Sequence, residues 1–266
     1  MIRREISTST RIVLGGLSLV ILGYFYTWLS DSRHRVNPND RTIPSWSQLG
    51  EAVQTVVTPH PRTKEVWLLD DAGATFYRLF LGLLIGVLLS VFLGVMMGCF
   101  APIEAFFLPS LSFLAKIAPT AMLAVFFVLV GVNREMYVAL ITFGTLPTLA
   151  QSVYQAAKKD VPEELIFKAY TLGATHAEVI WNVIFKQILP RVLDAIRLQV
   201  GPAMVLLVAA EWMVASEGFG YRLRIFYQRT DMTVVYVYLI VLGITGFLID
   251  AALNWTRRKL CPWYGD

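Results

Sequence analysis

Residues 160–190 read DVPEELIFKAYTLGATHAEVIWNVIFKQILP. This polar, patterned stretch sits between two long apolar segments. Asp160-Val161-Pro162-Glu163 places a capping residue three positions before a Glu, with Pro early in the first turn, where no amide hydrogen is missed. The helix it opens is expected to end at Gly173, since glycine tolerates the left-handed conformation that closes many helices. Thr175-His176-Ala177-Glu178 repeats the capping pattern, and the second helix is expected to run to Pro190. Two readings stand: a helix–glycine–helix that docks into a partner's groove, or a surface loop with two caps.

The surroundings decide the fold class. The chain has 266 residues, 56% hydrophobic and 16% charged, with a mean hydropathy of +0.58. A soluble domain carries about a quarter charged residues. The expectation is therefore an all-α polytopic membrane protein with about six transmembrane helices. The net charge of +4 needs no nucleic acid, because Lys and Arg mark cytoplasmic loops. Cys99 and Cys261 are far apart and suggest neither a metal site nor a disulfide framework.

Ile12 to Ser30 is uncharged for 19 residues, enough for a first span, and no good cleavage site follows at Trp28-Leu29-Ser30-Asp31. Asp31 to Asp71 is polar, with a turn at Asn37-Pro38-Asn39-Asp40 and a possible amphipathic helix from Ser45 to Val57. Residues 1–71 are thus read as a helix plus extracytoplasmic linker, and 72–266 as the core, with a cytoplasmic loop at 158–190. Between Arg78 and Glu104 lie 25 uncharged residues. Gly82, Gly86, Gly94 and Gly98 in that span suit close helix packing, within the chain or at a subunit interface. Ala105 to Val132 is expected to be a third span, kinked at Pro119 and carrying Lys116. Lys116 either lies beside a translocation path or snorkels to the surface.

Met136 to Ala157 is a fourth span, followed by Lys158-Lys159. The fifth, Leu193 to Ala215, holds Arg197 and Glu211, about 20 Å apart on one helix and so unable to pair with each other. Glu211 is expected to face the interior, as a structural ion-pair partner or a substrate contact. Ser216 to Asp231 is expected to be an outer loop and Met232 to Ile249 the sixth span. Leaving out Arg78, Lys116 and Arg197, the side holding both termini carries 11 Lys/Arg against 9, with basic clusters only at its span ends. Both termini are therefore expected to be cytoplasmic.

Phe167-Lys168-Ala169-Tyr170-Thr171-Leu172-Gly173-Ala174-Thr175, with Ile188-Leu189-Pro190, resembles the cytoplasmic loop of bacterial ABC importer permeases of the taurine, alkanesulfonate, nitrate and bicarbonate branch. Phe167 and Lys168 stand where that family usually has Glu-Ala, and Lys186 replaces a usual Pro. Ala209-Ala210-Glu211, Gly218-Phe219-Gly220-Tyr221, Lys116-Ile117-Ala118-Pro119-Thr120 and Cys261-Pro262-Trp263 also resemble the family's motifs. The resemblance implies a type I ABC importer permease fold in the bacterial inner membrane. It implies that residues 167–175 seat on an ATPase and that the region of Lys116 and Pro119 lies beside the translocation path; Arg197 and Glu211, as charges within a span, are further candidates for that path. Implied partners are two ATP-binding cassette subunits that bind ATP and Mg, a second permease copy (a homodimer or a related chain), and a periplasmic or lipid-anchored solute-binding protein. The solute would be a sulfonate, nitrate, bicarbonate or similar small nutrient, with a small cationic or neutral nitrogen compound as the alternative.

No Gly-x-x-x-x-Gly-Lys-Ser/Thr is present, so ATP hydrolysis is not expected of this chain, and no cofactor or metal is expected in it. His34, His60 and His176 show no zinc spacing. An ion-coupled carrier or a membrane-embedded enzyme is the competing class, on the strength of the intramembrane charges, and a scaffold is a third.

Overall fold

A computed structural model describes residues 7–38, 40–59, 64 and 66–264. Arg3, Arg4, Asn39, His60 and Arg62 lie outside the described residues. Ten helices follow in order among those described: α1 (Thr8–His34), α2 (Trp46–Val57), α3 (Trp67–Cys99), α4 (Ala101–Leu114), α5 (Leu123–Val130), α6 (Arg134–Lys159), α7 (Glu163–Thr171), α8 (His176–Val214), α9 (Phe219–Gln228) and α10 (Met232–Leu260). There is no strand among the described residues. Among the described residues, five helices are long and apolar enough to cross a membrane: α3, α6, α8, α10 and Val13–His34 of α1.

The chain divides into two compact units. The smaller comprises Met1–Trp67 and Ile225–Leu239. There, Ser45 caps α2 in a reciprocal box with Gln48, as the Ser45 start predicts. The Tyr26 hydroxyl donates to the Pro44 carbonyl at 2.6 Å, and its ring meets Trp46 and Tyr236. Arg41 pairs with Asp231 at 2.9 Å.

The larger unit comprises Leu68–Arg224 and Ile240–Asp266. Its centre is α6, where Leu140, Ile141, Leu149 and Ala150 are fully buried. Gly82, Gly86, Gly94 and Gly98 of α3 face it. A Cβ on Gly82 would lie 2.7 Å from Ile141, and one on Gly94 2.6 Å from Val153; Gly86 and Gly98 likewise meet Thr145 and Ala157. The glycines thus serve packing within the chain. Both series ascend, so α3 and α6 run in the same direction, and the chain between them must return across the unit.

That return runs over the stretch Ala105–Val132, where the sequence predicts a span kinked at Pro119; the interruption falls there but is a full break rather than a kink. Helix α4 stops at Leu114 and α5 starts at Leu123, with Lys116 and Pro119 in the non-helical break. Pro119 lacks an amide hydrogen and restricts the residue before it, which ends regular winding. The expected six crossings are thus five long helices and one broken limb.

A second departure concerns Pro190. The helix that opens at His176 does not end there but continues to Val214, through both Pro190 and Pro202. A π-helical stretch, Val179–Phe185, precedes Pro190, and Pro190 is itself buried beside Ile188 and Val192. Proline is tolerated inside membrane helices, where packing and local rewinding re-satisfy the backbone. The loop at 158–190 therefore merges into the fifth span. The supposed outer loop at 216–231 also contains a helix, α9. The sixth membrane helix extends past Ile249 to Leu260.

Candidate functional site

At one end of the larger unit, α7 lies between α6 and α8. Asp160 does not cap it: Pro162 is the N-cap residue, without a side-chain bond, and Asp160 instead meets Arg191 at 3.4 Å. The other end of α7 closes as the sequence predicts. Gly173 has φ +85°, and its amide donates to Tyr170 while that of Ala174 donates to Ala169, a Schellman closure. Thr175 and Glu178 then form the predicted capping box that opens α8. The Tyr170 hydroxyl and His176 Nδ1 are 2.8 Å apart across the turn.

One face of this corner is anchored and the other is bare. Ile166, Ala169 and Ala174 pack on a buried cluster that includes Val161, Val179, Ile184 and Ile188. Phe167 is 63% exposed and Leu172 is 89% exposed. A helix held on a core that still presents large apolar side chains has the form of a docking element.

The opposite end of α8 is tied by a buried polar network. Glu211 is fully buried. It accepts from Arg78 Nη1 at 2.7 Å, from the Thr75 hydroxyl at 3.0 Å, and from the Gly220 amide at 3.0 Å. Gly218 has φ +108°, and a Cβ there would stand 2.6 Å from the Glu211 carboxylate, so only glycine lets this turn close over it. Arg78 also donates to the Glu217 carboxylate at 3.0 Å and lies 4.5 Å from the Tyr137 ring centre. Asp71, likewise buried, accepts from the Gly218 amide at 3.0 Å and from Arg222 at 2.7 Å. Arg224 donates to the carbonyls of Trp212, Met213 and Ala215, which the end of α8 leaves open.

The four residues expected on a path stand apart. Arg197 donates to both oxygens of Asp250, at 2.9 and 2.8 Å, and Asp194 meets Arg257 at 3.1 Å, which fastens α10 to α8. Lys116 is exposed at the α4–α5 break. Pro119 lines a cavity of about 480 Å³ with Thr120, Gly144, Thr145, Gln199 and Pro202. Glu211 is outside that lining. The sequence reading missed Asp71, Thr75 and Arg78 as a set. Their spacing of four and three residues puts three polar groups on one face of an apolar helix, which was the available signal.

Residues 75–261 match the family model described as binding-protein-dependent transport system inner membrane component. The chain belongs to this family. It is 26% identical over 99% of its length to the taurine transport system permease protein TauC of Escherichia coli (strain K12), of which it covers 94%. It is 29% identical over 83% of its length to SsuC of Bacillus subtilis (strain 168), a permease protein assigned to aliphatic sulfonates transport, of which it covers 84%. Its fold is that of a permease chain in the structure titled inward facing conformations of the MetNI methionine ABC transporter. That match has a TM-score of 0.64 at 19% identity and covers 76% of this chain and 99% of the other. The protein is a permease subunit of the ABC importer family, a transport component of the inner membrane.

Proposed function

We propose that this permease carries a small sulfonate or related oxyanion across the inner membrane, driven by ATP hydrolysis in two partner subunits that bind ATP and Mg and seat on residues Phe167–Thr175. The observation that carries the reading is the α7 corner: a Schellman-closed, core-anchored helix that leaves Phe167 and Leu172 bare and follows an α6 whose last turn carries the basic pair Lys158-Lys159. Burying a side chain such as Leu or Phe is worth about 1.5–3 kcal/mol, so two of them give a partner a few kcal/mol of affinity. The α7 end of the larger unit faces the cytoplasm, in keeping with its basic span ends. A periplasmic or lipid-anchored binding protein delivers the solute at the Glu211 end.

Two copies of the permease enclose the path, and the cavity at Pro119, Gly144 and Gln199 is part of each copy's wall. Because α8 is unbroken from His176 to Val214, a shift of the α7 corner moves the start of the helix whose far end Arg78 and Asp71 hold through Glu211 and Gly218. Nucleotide binding thus biases a two-state switch from one end. Arg197 and Glu211 hold α8 in place through their ion pairs rather than carrying protons or ions. The sulfonate assignment follows the two relatives and is open to direct test. Proteoliposomes holding the whole complex and its own binding protein should take up taurine or ethanesulfonate only with internal ATP. Uptake driven by a proton gradient without ATP would refute the importer mechanism. ATP-driven uptake of a cationic amine but of no sulfonate, nitrate or bicarbonate would refute the solute class.

A further inference from the structure

Helices α3 and α6 expose different chemistry. In the apolar stretch of α3 the exposed residues are Phe80, Leu84, Ile85, Leu88, Leu89 and Phe92, as contact with lipid requires. Beyond its first turn, α6 exposes only Ser152, Gln155, Lys158 and Lys159. Its apolar residues in the same stretch, Leu149, Ala150, Val153, Ala156 and Ala157, are all buried. An amide or an ammonium facing hydrocarbon costs on the order of several kcal/mol, so groups inside a membrane span face protein or water.

The polar residues form one line. Thr145, Thr148, Ser152, Gln155 and Lys159 recur at spacings of three and four, within an arc of about 80° on a helix of 3.6 residues per turn. Exposure rises along it: Thr145 is buried, Thr148 half-buried, and the last three exposed. Its buried end opens into the cavity lined by Thr145 and Gln199. Gln199 of α8 donates to the Thr148 hydroxyl at 2.9 Å, so a second helix adds an amide to the same line.

Its charge is one-sided. At that end of α6, Glu104 is taken by Lys158 and Tyr154, and Asp160 by Arg191. Lys159 has no ion pair among the described residues. Glu163 and Glu164 belong to α7, beyond the end of the line.

The geometry points to Thr148, Ser152, Gln155 and Lys159, with Gln199 opposite, as the α7-side half of the solute path, built for a solute that carries an anionic group. This deepens the importer reading and rests on it for the direction of transport. Hydroxyls and amides replace water around the solute, and Lys159 draws anions toward the exit.

The test is thiol accessibility in inside-out membrane vesicles holding the whole complex, with Cys99→Ala and Cys261→Ser as background. Ser152→Cys, Gln155→Cys and, as a lipid-facing control, Leu88→Cys are each treated with anionic sulfonatoethyl and with cationic trimethylammonioethyl methanethiosulfonate. Both α6 cysteines should react at least about tenfold faster than Leu88→Cys, the scale of a group in water against one in lipid. At Gln155→Cys the anionic-to-cationic rate ratio, normalised to a free thiol in solution, should exceed one. It should fall about threefold with Lys159→Gln, the effect of one screened charge about 6 Å away. Rates no faster than the control would overturn the path. A normalised ratio at or below one, or one that Lys159→Gln leaves unchanged, would overturn the preference for anions. Fast labelling that ATP with vanadate does not alter would support the path while refuting its coupling to an ATPase.

Discussion

At the Glu211 end of the larger unit, Asp71, Arg78, Glu211 and Phe219 are each at most 3% exposed; at the α7 end, Phe167 and Leu172 are 63% and 89% exposed. The first region spends its polar groups on one another: every carboxylate oxygen of Glu211 has a donor, and glycines at 218 and 220 let the turn close over it. The second fixes its backbone with local devices, a Schellman closure and a capping box, and leaves apolar side chains unused. Both are ordered, but only the first finds its ionic partners within this chain, with Arg78 Nε its one buried donor left without an acceptor among the described residues. The lesson is that rigidity and self-sufficiency are separate properties. Variants at the two ends should therefore fail in different assays.

The largest effect is expected at Arg78. Arg78→Ala leaves the fully buried Glu211 carboxylate without its cation, a loss on the order of 3–5 kcal/mol. Purified Arg78→Ala should show a thermal transition lowered by ten degrees or more, or fail to accumulate in the membrane. Arg78→Met combined with Glu211→Leu should recover much of that loss, because it removes both charges together. A melting curve for Arg78→Ala within a degree or two of wild type would break the contrast.

Gly218→Ala comes next. At φ +108° a side chain is strained by about 1–3 kcal/mol, and here its Cβ would also press on the Glu211 carboxylate. Differential scanning fluorimetry should register a drop of several degrees. Gly173→Ala provides the matched comparison: its φ is +85° but nothing lies within 4 Å of the added carbon, so only the backbone strain remains and the shift should be smaller. Equal shifts at the two positions would mean that the carboxylate contact is irrelevant.

The smallest effect concerns Cys261. It is buried, and burial pushes its thiol above the ordinary range, so less thiolate is present at any given pH. N-ethylmaleimide should modify it slowly at pH 7, with the rate still climbing at pH values where an exposed thiol has levelled off. Modification at the rate of a free thiol would show that the end of α10 is less well packed than its burial indicates.

How far the sequence carried differs between the same two regions. The α7 corner was legible because its signals are local: Gly173 is one residue that needs a left-handed backbone, and Thr175 and Glu178 cap each other three positions apart. The amphipathic α2 was legible for the same reason. Asp160 misled, since Pro162 took the cap position and Asp160 turned to Arg191. Pro190 misled more. The rule that proline stops helices is a rule for water, and inside α8 packing and a π-helical stretch outweigh it. The Glu211 network was half legible. A carboxylate in an apolar span demands a partner, but Arg78 lies 133 positions away, and nothing local joins them. Asp71 found Arg222 and the Gly218 amide by the same long-range route.

The central claim is that α7 exists for a partner while the Glu211 end holds this chain together. The measurement that tests it most directly is Leu172→Asp, tagged and purified from its native membrane, with melting temperature and co-eluting ATPase activity read from the same preparation. Exposed as it is, Leu172 contributes almost nothing to the fold of the isolated chain. The account predicts a melting temperature of the separated permease within about one degree of wild type and an ATPase yield lowered at least tenfold. An undiminished ATPase yield would contradict the assignment of α7. A parallel loss of stability and partner would contradict the division between the two ends.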